Sequence, residues 1–209
     1  MESALIDVRI FGVPERMSCI LENQKRLNVP DDRIFIDERR EGCLATARRA
    51  WTAPTDRPYT LVLQDDVELC DDFLAVCERM AAAHPDALFS LFPMCFNHWR
   101  KGNIPTVSPY ISVRDISGQG ILMRTDYAAP CIAAWNPKIK GDDVNIQRWA
   151  ENNDIQKLTT IPCTMQHIGD VSVFDPSRSL GRSPYYRRDM SDVDWESTFI
   201  TPWTNIVHR

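Results

Sequence analysis

The sequence predicts an α/β fold: a mixed, mostly parallel sheet flanked by helices, in one domain with a C-terminal tail. Three observations lead there. Short runs of strand formers alternate with stretches of helical periodicity from residue 5 to about residue 169, which is the pattern of successive βα units. The run Tyr59-Thr-Leu-Val-Leu63 is unbroken strand-forming sequence, as a strand covered on both faces requires, and it stops at two adjacent carboxylates, Asp65 and Asp66. With 209 residues, 44% of them hydrophobic and 25% charged, the chain can bury one substantial core, and nothing in its composition calls for a second.

The boundaries expected are a domain over residues 1–174 and a basic, aromatic tail or lid over 175–209. No apolar run approaches membrane-spanning length, so no membrane span is expected. The opening Met1-Glu-Ser-Ala-Leu-Ile-Asp7 lacks the basic and apolar regions of a secretory signal, and a cytoplasmic setting follows by default. Seven cysteines are scattered without a C-x-x-C pair and read as reduced core residues. A formal net charge of −5 gives no general attraction for nucleic acid.

Taken in order, Leu5 to Phe11 reads as the first strand, with Ile6, Val8 and Ile10 on one face, ending at Gly12-Val-Pro14. A helix follows over about Glu15 to Leu27, burying Met17, Ile20, Leu21, Gln24 and Leu27. Arg16 stands at its start, beside the strand's carboxyl end, where open α/β sheets bind nucleotides; a solvated side chain is the plainer alternative. Arg33 to Ile36 is a short strand ending at Asp37, placed either to accept hydrogen bonds from a base or ribose or to bond its own turn backbone. The next helix, about Glu41 to Trp51, buries Leu44, Ala47 and Trp51 and carries Arg48 and Arg49.

Strand 59–63 then delivers the acidic pair. Two adjacent carboxylates repel, so holding both ionised at a strand end implies a cation between them or water around them. A divalent Mg²⁺ or Mn²⁺ held by one or two carboxylates keeps positions for water and substrate phosphate, which makes this a candidate metal-diphosphate site. The alternative is a cap for the following helix, but Asp71 or Asp72 is expected to supply that cap, on a helix running to about His84. Ala87 to Phe92 is a further strand. Residues 93–109 form a long irregular segment, and its Asn97, His98, Trp99, Arg100 and Lys101 suit a wall for a sugar or base as well as a plain surface loop.

Ser117-Gly-Gln-Gly120 precedes a strand, Ile121 to Arg124, and a helix from Thr125 to about Trp135; its small residues are expected to let a ligand approach the backbone. A second acidic pair, Asp142 and Asp143, follows Gly141 and opens a helix ending near Asn152-Asn153. The helix dipole favours acids there, so capping stands beside catalysis as an explanation. Leu158 to Met165 is expected as the last clear strand, leading to His167, a strand-end imidazole able to join a carboxylate metal site. Arg178, Arg182, Arg187 and Arg188 with Tyr185, Tyr186, Trp195 and Trp203 mark the tail; Arg182, beside Gly181, is the arginine expected to meet a donor diphosphate.

In this order the parts resemble the GT-A class of nucleotide-sugar glycosyltransferases, from about Leu5 to Gly169. Glu41-Gly42 to Ala47-Arg48 resembles the helix before the metal motif, and Leu63-Gln-Asp-Asp-Val67 the DxD-type motif. Gly141-Asp-Asp143 resembles the catalytic acidic motif, and Gln166-His-Ile-Gly169 the late metal-ligand histidine. The flavour is that of small bacterial or phage members related to the lipopolysaccharide and collagen galactosyltransferase group, with Gln64 where that group often has the first acid of Glu-Asp-Asp. The resemblance implies a Rossmann-like fold and a UDP-sugar donor with Mn²⁺ or Mg²⁺ held by Asp66 and His167. It implies donor contacts from Asp65, Asp37, Arg16, Arg48 and Arg182, and an inverting transfer in which Asp143 is the general base and Asp142 orients the acceptor. The acceptor implied is a saccharide, with a protein, a small molecule or a modified nucleobase in DNA as alternatives. The competing functions are a nucleotidyltransferase of related fold, whose glycine-rich basic loop is absent at Phe11-Gly-Val-Pro-Glu-Arg16, and a catalytically degenerate nucleotide-binding module.

Overall fold

The computed structural model describes residues 5–92, 108–169, 183 and 185–201. In chain order the elements are β1 (Ile6–Gly12), α1 (Met17–Leu27), β2 (Ile34–Ile36), α2 (Cys43–Thr52), β3 (Tyr59–Gln64), β4 (Val67–Leu69), α3 (Phe73–Ala83), β5 (Leu88–Ser90), β6 (Tyr110–Ser112), β7 (Gly120–Arg124), α4 (Thr125–Ala133), α5 (Asp142–Asn152), β8 (Lys157–Thr160), β9 (Met165–His167) and β10 (Ile200–Thr201). One mixed sheet of eight strands runs in the order β10-β6-β8-β5-β7-β3-β1-β2, while β4 and β9 form a separate antiparallel ribbon. Within the large sheet the pairs β1–β2, β1–β3, β5–β8 and β6–β10 are parallel, and β3–β7, β5–β7 and β6–β8 are antiparallel.

Strand alternation creates two cores. Ile6, Val8 and Ile10 of β1 join Leu61 and Leu63 of β3 on the face covered by α1 and α3. Phe11 and Val62 face the opposite side, under Ala47, Ala50 and Trp51 of α2, Ala128, Cys131 and Ile132 of α4, and Ile146, Trp149 and Ala150 of α5. Because helices cover both faces, Thr60 to Leu63 are wholly buried, and each such aliphatic side chain contributes about 1.5–3 kcal/mol. The strand directions follow from the pairings: β1, β2, β3, β5 and β8 all end at one edge, and antiparallel β7 begins there, with Gly120 opposite Leu63. That edge carries the candidate site.

Several local expectations change. α1 begins at Met17, after a 3₁₀ turn over Pro14–Arg16, and ends where Asn28 adopts a left-handed φ of 54°. Asp72 occupies the position before α3 but has φ 52° and makes no side-chain capping bond, so the aspartate cap expected there is absent. The acidic pair precedes β4 rather than a helix. The strand expected over Leu158 to Met165 is two strands: Pro162 lacks a donor for the ladder, and the chain resumes as β9 beside β4.

The described part of the tail belongs to the body. Trp195 is 1% exposed, its ring lies 6.2 Å from that of Tyr110, and the Tyr110 hydroxyl donates to its carbonyl at 2.5 Å. Ile200 and Thr201 extend the sheet beside β6. The segment with Asn97, His98, Trp99, Arg100 and Lys101, together with Arg178, Arg182 and Trp203, lies outside the described residues. Among the described residues six cysteines are free thiols, and no helix is long and apolar enough to cross a membrane.

Candidate active site

β3 carries Asp65 and Asp66 to the sheet edge, and both are buried, at 5% and 4% exposure. Asp65 Oδ2 accepts the Val13 N–H at 2.8 Å, and its Oδ1 accepts from Arg16 Nη1 at 3.1 Å. The same guanidinium nitrogen donates to Asp66 Oδ2, which also meets His167 Nε2 at 2.9 Å. Among the described residues, Asp66 Oδ1 and His167 Nδ1 are buried without a hydrogen-bond partner. Two glycines make this packing possible. A methyl on Gly12 would sit 2.2 Å from Asp65 Oδ2, and one on Gly169 would sit 2.7 Å from Asp66 Oδ2 and 3.1 Å from Arg16 Nη2.

The two carboxyls of this pair are tuned apart. Burial raises Asp65, the Val13 N–H and Arg16 oppose it, and the Asp66 charge helps to leave the carboxyl above the usual carboxylate range. Burial would raise Asp66 as well, but the His167 bond and the Arg16 charge outweigh it and hold that carboxyl below its usual value. Arg16 loses hydration on burial, yet the two aspartates more than offset this and hold its proton more firmly.

The second pair opens α5. Asp142 is 3% exposed; burial first, and then the Asp143 charge, push its carboxyl up to about 7. Asp143 is half-buried and raised mainly by burial; its Oδ1 accepts the Val144 N–H at 2.7 Å, and no side chain caps the helix at Gly141. Gly118 joins the two pairs. A methyl there would lie 3.1 Å from Asp142 Oδ1 and 3.2 Å from Gln64 Nε2, so the end of β3 and the start of α5 meet across a residue with no side chain. The expectation that these glycines leave room for ligand is corrected: the space at Gly118 serves Asp142 and Gln64, and that at Gly120 serves Met165, whose sulfur lies 2.6 Å from the missing Cβ.

The N-terminus of α2 stands between the pairs. Burial, then the charges of Asp142, Asp143, Asp65 and Asp66, keep the Cys43 thiol protonated well above its ordinary range, so all four carboxylates act on one point. Gly42 precedes it with φ 95°, a conformation that favours glycine. Asp37 braces this turn, its two oxygens accepting the N–H groups of Glu41 at 2.8 Å and Gly42 at 2.9 Å, which is the backbone role weighed for it in the sequence.

Asp66 and His167 supply an oxygen and a nitrogen side by side, and the unpartnered Asp66 Oδ1 is a free acceptor for a hard cation. No group of three His, Cys, Asp or Glu side chains among the described residues is arranged as a complete metal site. The residues therefore fit a divalent ion as a two-residue anchor that leaves its remaining positions to water and phosphate oxygens.

The structure thus gathers Asp37, Asp65, Asp66, Asp142, Asp143, Arg16 and His167 at one sheet edge. Arg48 is exposed on α2, and Arg182 lies outside the described residues. The sequence reading passed over Gly12, Gly169 and Cys43 as site-forming residues. Gly12 is read there only as a strand-ending turn and Gly169 only as part of the motif around His167, while nothing local marks Cys43.

No protein-family model and no curated protein matches the chain. Among solved structures it is similar to a protein from STIV, at 11% identity over 87% of this chain and 97% of that one, with a TM-score of 0.46. It is also similar to the catalytic domain of Drosophila beta1,4galactosyltransferase 7 in complex with xylobiose, at 10% identity over 91% and 83% of the two chains, TM-score 0.42. A mutant of the same enzyme in complex with manganese, UDP-Gal and xylobiose gives 10% identity over 89% and 82%, TM-score 0.38.

Proposed function

We propose that the chain is a metal-dependent glycosyltransferase that moves a sugar from a nucleoside-diphosphate donor, a UDP-sugar, to a saccharide hydroxyl with inversion. One observation carries this reading. Two carboxylate pairs, with Asp65, Asp66 and Asp142 buried and Asp143 half-buried, share a sheet edge, and their environments drive the proton affinities of Asp66 and Asp142 in opposite directions, the arrangement of groups with separate charge-binding and proton-handling roles. Asp66 and His167 hold the divalent ion, Mn²⁺ or Mg²⁺, which when bound stabilises negative charge on the departing diphosphate. Asp65 receives the donor's ribose. Asp143, the more accessible of its pair, takes the proton from the acceptor hydroxyl on the opposite side of the sugar. Asp142 keeps its own proton up to about pH 7 and so orients the acceptor without adding a second negative charge beside the base.

The test is a panel of UDP-, GDP- and ADP-sugars with and without Mn²⁺, following nucleotide release and the melting temperature. Mn²⁺-dependent UDP release, accelerated by an added saccharide, is the expected result. Nucleotide binding without turnover on any donor would make the chain a binding module, and pyrophosphate release from a nucleoside triphosphate with a sugar phosphate would make it a nucleotidyltransferase.

A further inference from the structure

The carboxylate that would receive the metal already holds a cation. Arg16 Nη1 is shared between Asp65 Oδ1 at 3.1 Å and Asp66 Oδ2, and Asp66 Oδ2 is the same atom that His167 Nε2 approaches at 2.9 Å. The arginine side chain is 18% exposed and both carboxylates 6%, so water screens the pairing little. Its seat is shaped around it. Arg16 ends the 3₁₀ turn Pro14–Arg16 directly after β1, the Val13 N–H at the base of that turn is held by Asp65, and Gly169 leaves the space that Nη2 fills. An ion taken up on the free Oδ1 would still stand within a few ångströms of a guanidinium on Oδ2 of the same carboxylate, and like charges that close repel strongly where water is scarce.

We infer that Arg16 is a built-in cation that competes with the divalent metal for Asp66, so that metal binds by displacing the guanidinium from the carboxylate pair. The inference rests on the transferase reading for the role of the metal, while the position of Arg16 stands independently of it. While metal is absent the arginine offsets one charge of the pair and bridges its two carboxylates. Once displaced, it remains on the same short turn at the edge where a donor diphosphate arrives, and its planar fork suits phosphate oxygens. One residue therefore sets how tightly the free protein holds metal.

The experiment measures Mn²⁺ affinity from the electron paramagnetic resonance signal of free Mn²⁺, without nucleotide, in wild type, Arg16→Gln and the control Arg40→Gln, an exposed arginine paired only with Glu15 among the described residues. Arg16→Gln is expected to melt below wild type in the absence of metal, to bind Mn²⁺ on the order of tenfold more tightly, and to show the larger Mn²⁺-induced rise in melting temperature, since tenfold corresponds to one charge-pair's worth of competition. Arg40→Gln should match wild type in all three. Equal or weaker Mn²⁺ binding by Arg16→Gln overturns the inference and leaves the transferase reading standing. Absence of Mn²⁺ binding in every protein overturns both. A second measurement needs no variant: in ¹⁵N-arginine-labelled wild type titrated with Mg²⁺, one protected guanidinium signal should become fast-exchanging at saturation. If every protected arginine signal persists in saturating Mg²⁺, the displacement does not occur.

Discussion

Replacing Asp142 by asparagine should change stability by an amount that depends on pH. The folded carboxyl titrates at about 7 against an ordinary 3.8, because burial and the Asp143 charge disfavour its ionised form. The folded state therefore binds this proton more tightly than the unfolded state does. The contribution is fully present below about pH 3.8, is lost as pH rises toward 7, and changes no further above that. Each tenfold change in proton affinity is worth about 1.4 kcal/mol, so the wild type gives up about 1 kcal/mol at pH 4.5 and about 4 kcal/mol at pH 8. Asparagine has no such proton to lose. Urea denaturation of both proteins at the two pH values should show the stability difference between variant and wild type moving in the variant's favour by about 3 kcal/mol, from low to high pH. Any constant cost of fitting the amide cancels in that comparison. A difference that stays the same at both pH values would refute the idea that Asp142 is buried as an acid.

Asp143→Asn should lower transfer by roughly a hundredfold to ten-thousandfold with nucleotide-induced thermal shifts nearly intact, whereas a purely structural residue would leave UDP release unchanged. Gly12→Ala places a methyl 2.2 Å from Asp65 Oδ2 and 2.4 Å from Asp65 Cβ, so the strand end itself must shift. Chemical denaturation should show a loss of about 1–3 kcal/mol, and Mn²⁺ titration a weakened site. Trp195→Ala should cost about 3–5 kcal/mol, since it empties a fully buried indole from the core beside Tyr110; a loss under about 1 kcal/mol would mean that the C-terminal stretch is not part of the cooperative unit.

Where an element is long and its period uniform, the sequence locates it closely. β3 was expected over 59–63 and runs over Tyr59–Gln64, and the helix opened by Gly141-Asp142-Asp143 ends at Asn152 as read. The missed strands β4, β6 and β10 span two or three residues each, too few for alternation to register, and their existence depends on partners far along the chain. The site divides in the same way. Adjacent carboxylates at a strand end are visible in one dimension, and so is Arg16 beside the end of β1. That the arginine reaches across to those carboxylates is a consequence of β1 lying next to β3, which local sequence does not record. Asp37 illustrates the converse, a strand-end acid whose oxygens serve the turn before α2.

The β4–β9 ribbon sets when Asp66 and His167 can meet. Val67 lies opposite His167 in its register, so residues a hundred positions apart meet because three backbone pairings hold them in step. A slip of one residue would turn His167 to the other side of the ribbon and leave Asp66 with Arg16 alone. A chain emerging from the ribosome carries the acidic motif, its arginine and much of the sheet long before the histidine exists. Until that late segment docks, only Arg16 of the two side chains that meet Asp66 Oδ2 has been made.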